Sequence, residues 1–324
     1  MKILYGIQLT GNGHLTRSIE LISQLKKRGF EVDILVSGNN YSVNIPFDVK
    51  YKFHGISIFY NKFGEVDWIK TLKKIKLYQF YKDTKLDVSE YDLVISDFEP
   101  ISCWAAKRYK VRSIGISNQY SIFSAKKTKL KYRFLSFFSK IFTPCKRYIS
   151  LDYIQTKSGI SYQPIISSKF IEANPKNNKF FLIYLPSIKL TTILDSILQY
   201  KHINWVIYSD EITNDMCVKN ITVNKINREK FQNDLINCEG VITASGFSTT
   251  SEALILGKKL WSIPLKFHAE QQLNAISLKD LGVFTGDLNQ HNVYKWIFQY
   301  KKIDYNWSNP VDSIIDFIEV IKKD

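Results

Sequence analysis

Glycine and proline are sparse in this chain, 14 and 8 among 324 residues. That scarcity excludes collagen-like and low-complexity architectures. Cys103, Cys145, Cys217 and Cys238 stand without CxxC or CxxH spacing. Neither a zinc site nor a disulfide framework is legible, and the four read as reduced, mostly packed thiols. No uncharged apolar run reaches the ~18 residues that a membrane-spanning helix needs. The first strand begins at Lys2, which leaves no signal peptide to read. A cytoplasmic location is expected, at most peripheral to the inner face of a membrane. Acidic residues are also missing from one long stretch, since Pro100 to Leu151 holds twelve basic residues and none acidic.

That stretch is part of a wider asymmetry. Residues 1–172 carry 28 Lys and Arg against 14 Asp and Glu, whereas residues 173–324 carry 17 against 16. A lysine-rich genome raises the total without explaining the division, so the first half is expected to face something anionic. With 45% hydrophobic and 14% aromatic residues, the chain supports two packed cores at roughly 100–200 residues per domain.

Apolar runs alternate with amphipathic segments. Strands are expected at Ile3–Gln8, Glu31–Ser37, Val49–Phe59, Asp92–Ser96 and Arg112–Ser117. A helix is expected over His14–Arg28, with basic residues in its last turn and Gly29 as its stop. The pattern restarts with strands at Phe180–Leu185, Trp205–Tyr208, Ile221–Lys225, Val241–Thr243 and Leu260–Ile263, and with helices from about Thr191, Glu229, Thr249 and Glu270. The fold class is therefore α/β: two doubly wound, Rossmann-like domains, 1–174 on the acceptor side and 175–324 on the donor side. The join is read at Glu172–Asn178, where Pro175 breaks both periodicities. The last helix, 311–323, is free to pack on either domain. Ligands of open α/β sheets lie beyond the carboxyl ends of the strands, so the main site is expected in a cleft between facing domains.

Two segments carry chemistry. Gly11-Asn12-Gly13-His14-Leu15-Thr16-Arg17 follows the first strand and opens a helix. It departs from the dinucleotide fingerprint, because Thr16 stands at the third glycine position. Gly11 and Gly13 let a ligand approach the backbone. His14 is either an ordinary exposed imidazole or a base kept neutral by the positive end of the helix dipole. The second segment runs from Gly240 to Gly257 through Ala244-Ser245-Gly246-Phe247-Ser248-Thr249-Thr250-Ser251-Glu252. A strand there enters a Ser/Gly/Thr turn whose helix start suits a diphosphate without metal. Glu252 reads either as a carboxylate for two ribose hydroxyls or as an ordinary helix-start acid.

On these residues the chain resembles the GT-B nucleotide-sugar glycosyltransferases, particularly those similar to the peptidoglycan enzyme that adds N-acetylglucosamine to a lipid-linked intermediate. The resemblance rests on GxGHxxR at Gly11–Arg17, Ser96-Asp97-Phe98-Glu99-Pro100, SGxSTxxEAxxxGK at Ser245–Lys258 and the HxEQxxNA-like stretch His268–Ala275, in which Gln272 is additional. It implies that Ser245, Gly246, Ser248 and Thr249 line the donor diphosphate, and Gly11 and Gly13 are expected among the donor-binding residues. Glu252 would meet the ribose, Glu270, Gln271 and Gln272 the donor sugar, and His14 would deprotonate the acceptor. Lys259 and Ala244-Ser245-Gly246 depart from relatives with Pro and His-Gly-Gly, so a histidine–phosphate contact is unavailable at that turn. The implied reaction is a metal-independent, inverting transfer from a UDP-sugar donor to a lipid-linked or envelope glycan, with no cofactor.

Asp97 and Glu99 form a D-x-E pair that either orients His14, binds the acceptor, or caps the helix at Pro100. A metal site there is not expected. In Leu130–Phe142, apolar positions recur at helical spacing among Lys126, Lys127, Lys129, Lys131, Arg133 and Lys140. With Phe134 and Phe138 among acyl chains, such a helix suits an anionic membrane surface. Nucleic acid is the alternative anionic partner, as for enzymes that glycosylate modified DNA bases. A core-packed helix and a non-catalytic nucleotide-sugar-binding protein are the other readings. Oligomeric state is left open.

Overall fold

Fourteen strands in the described residues assemble into two separate seven-stranded sheets. The computed structural model describes residues 1–9, 12–38, 44–56, 61, 67–74, 76–123, 130–155, 159–176 and 178–323. Two compact units result, one from the described residues of 1–59, 66–167 and 308–324, the other from those of 60–65 and 168–307. The first junction thus falls ahead of the Glu172–Asn178 break.

In the first unit the strands are β1 (Lys2–Gln8), β2 (Glu31–Ser37), β3 (Tyr51–Phe53), β4 (Leu93–Asp97), β5 (Arg112–Ser117), β6 (Arg147–Leu151) and β7 (Ile160–Tyr162). They are all parallel in the order β3-β2-β1-β4-β5-β6-β7. The connecting helices are α1 (Asn12–Lys27), α2 (Trp68–Lys74), α3 (Leu77–Asp83), α4 (Pro100–Tyr109) and α5 (Leu130–Phe142). Helix α1 buries Leu15, Leu21, Ile22 and Leu25 and ends at Gly29, whose φ of +82° suits a residue without Cβ. On one face of the sheet, Leu4, Leu35 and Val94 pack beneath Ile101, Ala105 and Ala106 of α4 and beside Phe80 of α3. Right-handed crossovers from β3 to β4, β4 to β5 and β5 to β6 all run in the same direction, which puts α3, α4 and α5 in one layer.

The second unit contains α6 (Ser168–Ile171), β8 (Phe180–Tyr184), α7 (Leu190–Ile197), β9 (Asn204–Ser209), β10 (Met216–Val218), β11 (Ile221–Lys225), α8 (Arg228–Asn237), β12 (Gly240–Ala244), α9 (Phe247–Ile255), β13 (Lys259–Ile263), α10 (Ala269–Asp280), β14 (Phe284–Thr285) and α11 (Gln290–Tyr294). Its sheet order is β10-β11-β9-β8-β12-β13-β14, with β10 antiparallel to β11 and every other pair parallel. Trp205, Trp261 and Trp296 are fully buried with Phe181 and Ile242 in its core. The final helix, α12 (Val311–Lys323), packs on α1 of the first unit. There Arg28 reaches Asp316 at 2.6 Å and Asp312 at 2.9 Å. The pairs are exposed and set register more than stability.

Four strands escaped the sequence reading. β7, β10 and β14 are only two or three residues long, and β6 (RYISL) lacks a continuous apolar run inside the basic stretch. Expected strand Val49–Phe59 shortens to β3, and residues 57–60 lie outside the described residues.

Each sheet reverses its winding at one place, between β1 and β4 in the first unit and between β8 and β12 in the second. The loops leaving adjacent strands diverge at such a point and open a crevice at the strands' carboxyl ends. His14 follows β1, Asp97 ends β4, and Ser245 to Glu252 follow β12. Both motifs therefore sit at switch points.

Candidate functional site

In the first unit, α1 and β4 bring three charged or titratable side chains together. His14 Nδ1 lies 2.8 Å from Asp97 Oδ1. Arg17, one turn further along α1, donates from Nε to Asp97 Oδ2 and from Nη2 to Asp97 Oδ1, both at 2.6 Å. Its Nη1 donates to Asn118 Oδ1 at 2.9 Å, and Ser18 Oγ donates to Asp97 Oδ2 at 3.2 Å. Asp97 is only 1% exposed. Burial by itself would raise its pKa, but the Arg17 charge, with the hydrogen bonds from His14 and Arg17, outweighs burial and holds it at about 2. The site thus contains a permanent, buried carboxylate.

The tautomer of His14 follows from counting hydrogens. Nη2 of Arg17 has two, with Asp97 Oδ1 at 2.6 Å, His14 Nδ1 at 2.7 Å and Ser117 Oγ at 3.2 Å as neighbours. If the second hydrogen went to Nδ1, that nitrogen's lone pair would take it while a carboxylate oxygen stood 2.8 Å away with no proton between them. If it goes to Ser117, Nδ1–H donates to Asp97, and both Nη2 hydrogens and the Nδ1 hydrogen have acceptors. In the neutral ring this arrangement places the lone pair on Nε2, where it can accept a proton.

Glu99 is placed differently from its partner in the D-x-E pair. Its carboxylate is the N-cap of α4, accepting from Ile101 N at 2.9 Å and Ser102 N at 2.7 Å. It is fully buried, and burial raises its pKa against those bonds. The expectation of a catalytic Glu99 gives way here to a capping role, because both oxygens face the helix start rather than His14. The separation is made by Phe98, whose φ of +54° turns the chain between the two acids. Its ring is held against Tyr120 and Phe142 at centroid distances of 5.6 and 5.4 Å. Gly11 lies outside the described residues, and Gly13 is within the first turn of α1.

In the second unit, Gly246 is the N-cap of α9 with no side-chain cap, and a Cβ built there would meet nothing within 4 Å. Ser248 and Thr249, in the first turn, are half-buried and their hydroxyls have no hydrogen bond among the described residues. The Ser245 hydroxyl is turned inward instead, 2.6 Å from Ser262 Oγ, and its carbonyl accepts from Asn274 Nδ2 at 3.0 Å. Only its backbone remains for a ligand. Glu252 is 8% exposed, and its carboxylate accepts no hydrogen bond from the described residues. Burial pushes its pKa up to about 8, against the partial opposition of the Arg228 and Lys169 charges. A carboxylate held dry without donors is poised for hydroxyls from outside the chain.

Glu270 occupies the first turn of α10. Gln271 and Gln272, expected on the donor sugar, fold back on the loop before α10: Leu265 N donates to Gln271 Oε1 at 3.0 Å, and Gln272 Nε2 donates to Leu265 O at 2.9 Å. Each amide retains one polar atom beyond that brace. Among the described residues no group of three or more His, Cys, Asp or Glu could hold a metal ion.

A family model described as Glycosyl transferase family 1 matches residues 1–300. The chain belongs to glycosyl transferase family 1. No curated protein matches it. Solved structures similar to this glycosyltransferase include a UDP-glucosyltransferase from Polygonum tinctorium, at TM-score 0.64 and 13% identity over 99% of this chain and 93% of that one. Another is the S. aureus MnaA–UDP co-structure, at TM-score 0.62 and 12% identity over 99% and 96%. A third is the spinosyn forosaminyltransferase SpnP, at TM-score 0.61 and 12% identity over the whole of both chains. At these identities the likeness concerns the fold, which is GT-B, as the motifs implied.

The glycosyltransferase also carries an unusual surface on its first unit. Phe134, Phe137, Phe138 and Ile141 of α5 are exposed, with Arg133 and Lys140 exposed beside them. Lys126, Lys127 and Lys129 lie outside the described residues, and Lys131 is described only by its place in α5. A second exposed apolar set went unread in the sequence. Ile69, Leu77, Tyr78 and Tyr81 on α2 and α3 stand in a stretch, residues 68–86, with six lysines and one acid, Asp83, which is buried. Arg17 and Asn274 were the other omissions. Arg17's signal was its spacing of one helical turn from His14, and Asn274's was its place in the same motif as Gln271.

Proposed function

We propose that this glycosyltransferase is inverting and metal-independent, moving a sugar from a nucleoside-diphosphate donor of the UDP-sugar class to a lipid-linked or envelope glycan acceptor. Glu252 carries the reading of the donor. Among all the carboxylates described, it is a buried one without a hydrogen bond, one turn beyond two unpartnered hydroxyls and an uncapped helix start. Ribose hydroxyls donating to Glu252 and phosphate oxygens accepting from Ser248, Thr249 and the first amides of α9 would satisfy all of these at once. Glu270 and the spare amide atoms of Gln271 and Gln272 are the groups offered to the sugar.

His14 is the proposed base. Nε2 takes the acceptor's proton as the acceptor oxygen attacks the anomeric carbon, and Asp97 steadies the imidazolium that forms. The bond between the anomeric carbon and the diphosphate breaks as the new one forms, and the α9 amides hold the departing charge. Attack from the face opposite the leaving group inverts the anomeric centre.

The donor reading predicts a thermal shift. A nucleoside-diphosphate sugar at about 100 times its Kd stabilises the protein by about 2.7 kcal/mol. That shift, and donor turnover, are expected to persist in EDTA, since a helix start stands where other glycosyltransferases place a cation. Strict dependence on added magnesium or manganese would sink the metal-independent part of the proposal.

The exposed aromatic and basic residues of α5, in a stretch without an acid from residue 100 to 151, support an acceptor at an anionic membrane. Liposome co-sedimentation should depend on anionic lipid, weaken with salt, and fall after Phe134→Ser and Phe138→Ser. Binding to duplex DNA with a steep salt slope and no response to those substitutions would favour nucleic acid instead.

A further inference from the structure

Asp97 is a buried carboxylate, and in the first unit two groups stand close enough to balance its charge. Asp97 is faced by Arg17, His14 and Ser18 from α1, by Tyr5 from β1, and, through Arg17, by Ser117 at the end of β5 and Asn118 just after it. Of these only Arg17 is permanently cationic. It is 5% exposed, and it engages both oxygens of the carboxylate. His14 Nδ1, Asp97 Oδ1 and Arg17 Nη2 form a triangle with sides of 2.8, 2.6 and 2.7 Å.

We propose that Arg17 is a positioning residue that keeps His14 neutral with its free lone pair on Nε2, by supplying the counter-charge that the imidazole would otherwise supply through a second proton. The inference rests on the reading of His14 as the base. With Arg17 in place the triad is one cation, one anion and one neutral ring. A second proton on His14 would set imidazolium 2.7 Å from guanidinium, a repulsion felt strongly in a dry site. Without Arg17, the carboxylate would be left buried and uncompensated, and the nearest group able to take up charge is the imidazole. A ring already protonated cannot accept the acceptor's proton. Arg17 thus acts on the reaction through His14 while touching no reacting atom.

Nitrogen-15 spectra of the imidazole side chains separate the three ring states, with His14 assigned by the signals lost in His14→Gln. Wild type at pH 7 should show a neutral ring with the proton on Nδ1. Arg17→Gln should convert the signal to the doubly protonated form at the same pH. Arg17→Lys, which keeps the charge, should restore the neutral ring, and so should Arg17→Gln combined with Asp97→Asn, which removes the charge that needs balancing. A doubly protonated or Nε2-protonated ring in wild type overturns the proposal without reference to any variant, so a failure of Arg17→Gln to fold leaves it exposed to test. A neutral ring in Arg17→Gln overturns it equally. These spectra require no substrate: an intact response of the ring, with full transfer by His14→Ala, would instead count against the base assignment alone.

Discussion

Replacing His14 with Ala should lower sugar transfer by about 10²–10⁴-fold while leaving nucleotide binding unchanged. The two parts of the expectation come from different places in the chain. On the proposed mechanism, proton removal belongs to the β1–β4 switch point, where His14 Nδ1 faces Asp97. Donor contacts belong, on the same proposal, to the β8–β12 switch point, where Glu252 and the α9 start lie. Turnover at saturating donor and acceptor, set beside calorimetric titration of the donor alone, separates them. Wild-type turnover in the variant would pass the base role to another group. Loss of donor binding would mean that His14 acts in the ground state.

Glu252→Gln should weaken donor binding and at the same time stabilise the protein, with a pH dependence that identifies the cause. The carboxyl's ordinary value is 4.5, and burial raises it to about 8 in the fold. Below the ordinary value the group is neutral both folded and unfolded, and it costs nothing. As pH rises through the window from 4.5 to about 8 the unfolded chain ionises it first, so stability is lost across that range. By pH 8.5 the loss is on the order of 4 kcal/mol, which glutamine avoids. The variant should therefore match wild type in melting temperature near pH 4.5 and exceed it by several degrees at pH 8.5. Donor affinity should fall by the value of charge-assisted bonds to two hydroxyls, about 1.5–3 kcal/mol. Equal melting temperatures at both pH values would mean that Glu252 finds donors in solution. Equal affinities would remove it from the donor site.

Much of this arrangement is legible in the residues. Long central strands and the helices after them announce themselves by apolar periodicity, because each buries one continuous face. His14 is marked by its position after a strand and at a helix start. The pair Asp97 and Glu99 is not separable from sequence, since two positions apart on an extended strand means the same side. Only the left-handed turn at Phe98 sends one acid to His14 and the other to the start of α4. Gln271 and Gln272 are misleading for a related reason: their motif specifies the residues, but the path of the Leu265–Lys266 backbone decides where the amides bond. The inward turn of Ser245 depends likewise on Ser262, which arrives from the neighbouring strand. In each case a backbone turn or a contact outside the motif overrides what the residue pattern suggests.

The attachment of α12 to α1 has a consequence for synthesis. Arg28 and Asp312 meet across 284 positions of chain, so the first unit lacks one of its helices until nearly all of these residues have been translated. The elements from α6 to α11 are contiguous and complete earlier. Vectorial synthesis ordinarily lets the leading domain finish before the trailing one begins. Here the order is inverted at the last step: the leading unit waits for a helix made after the elements α6 to α11 of the second unit are already whole.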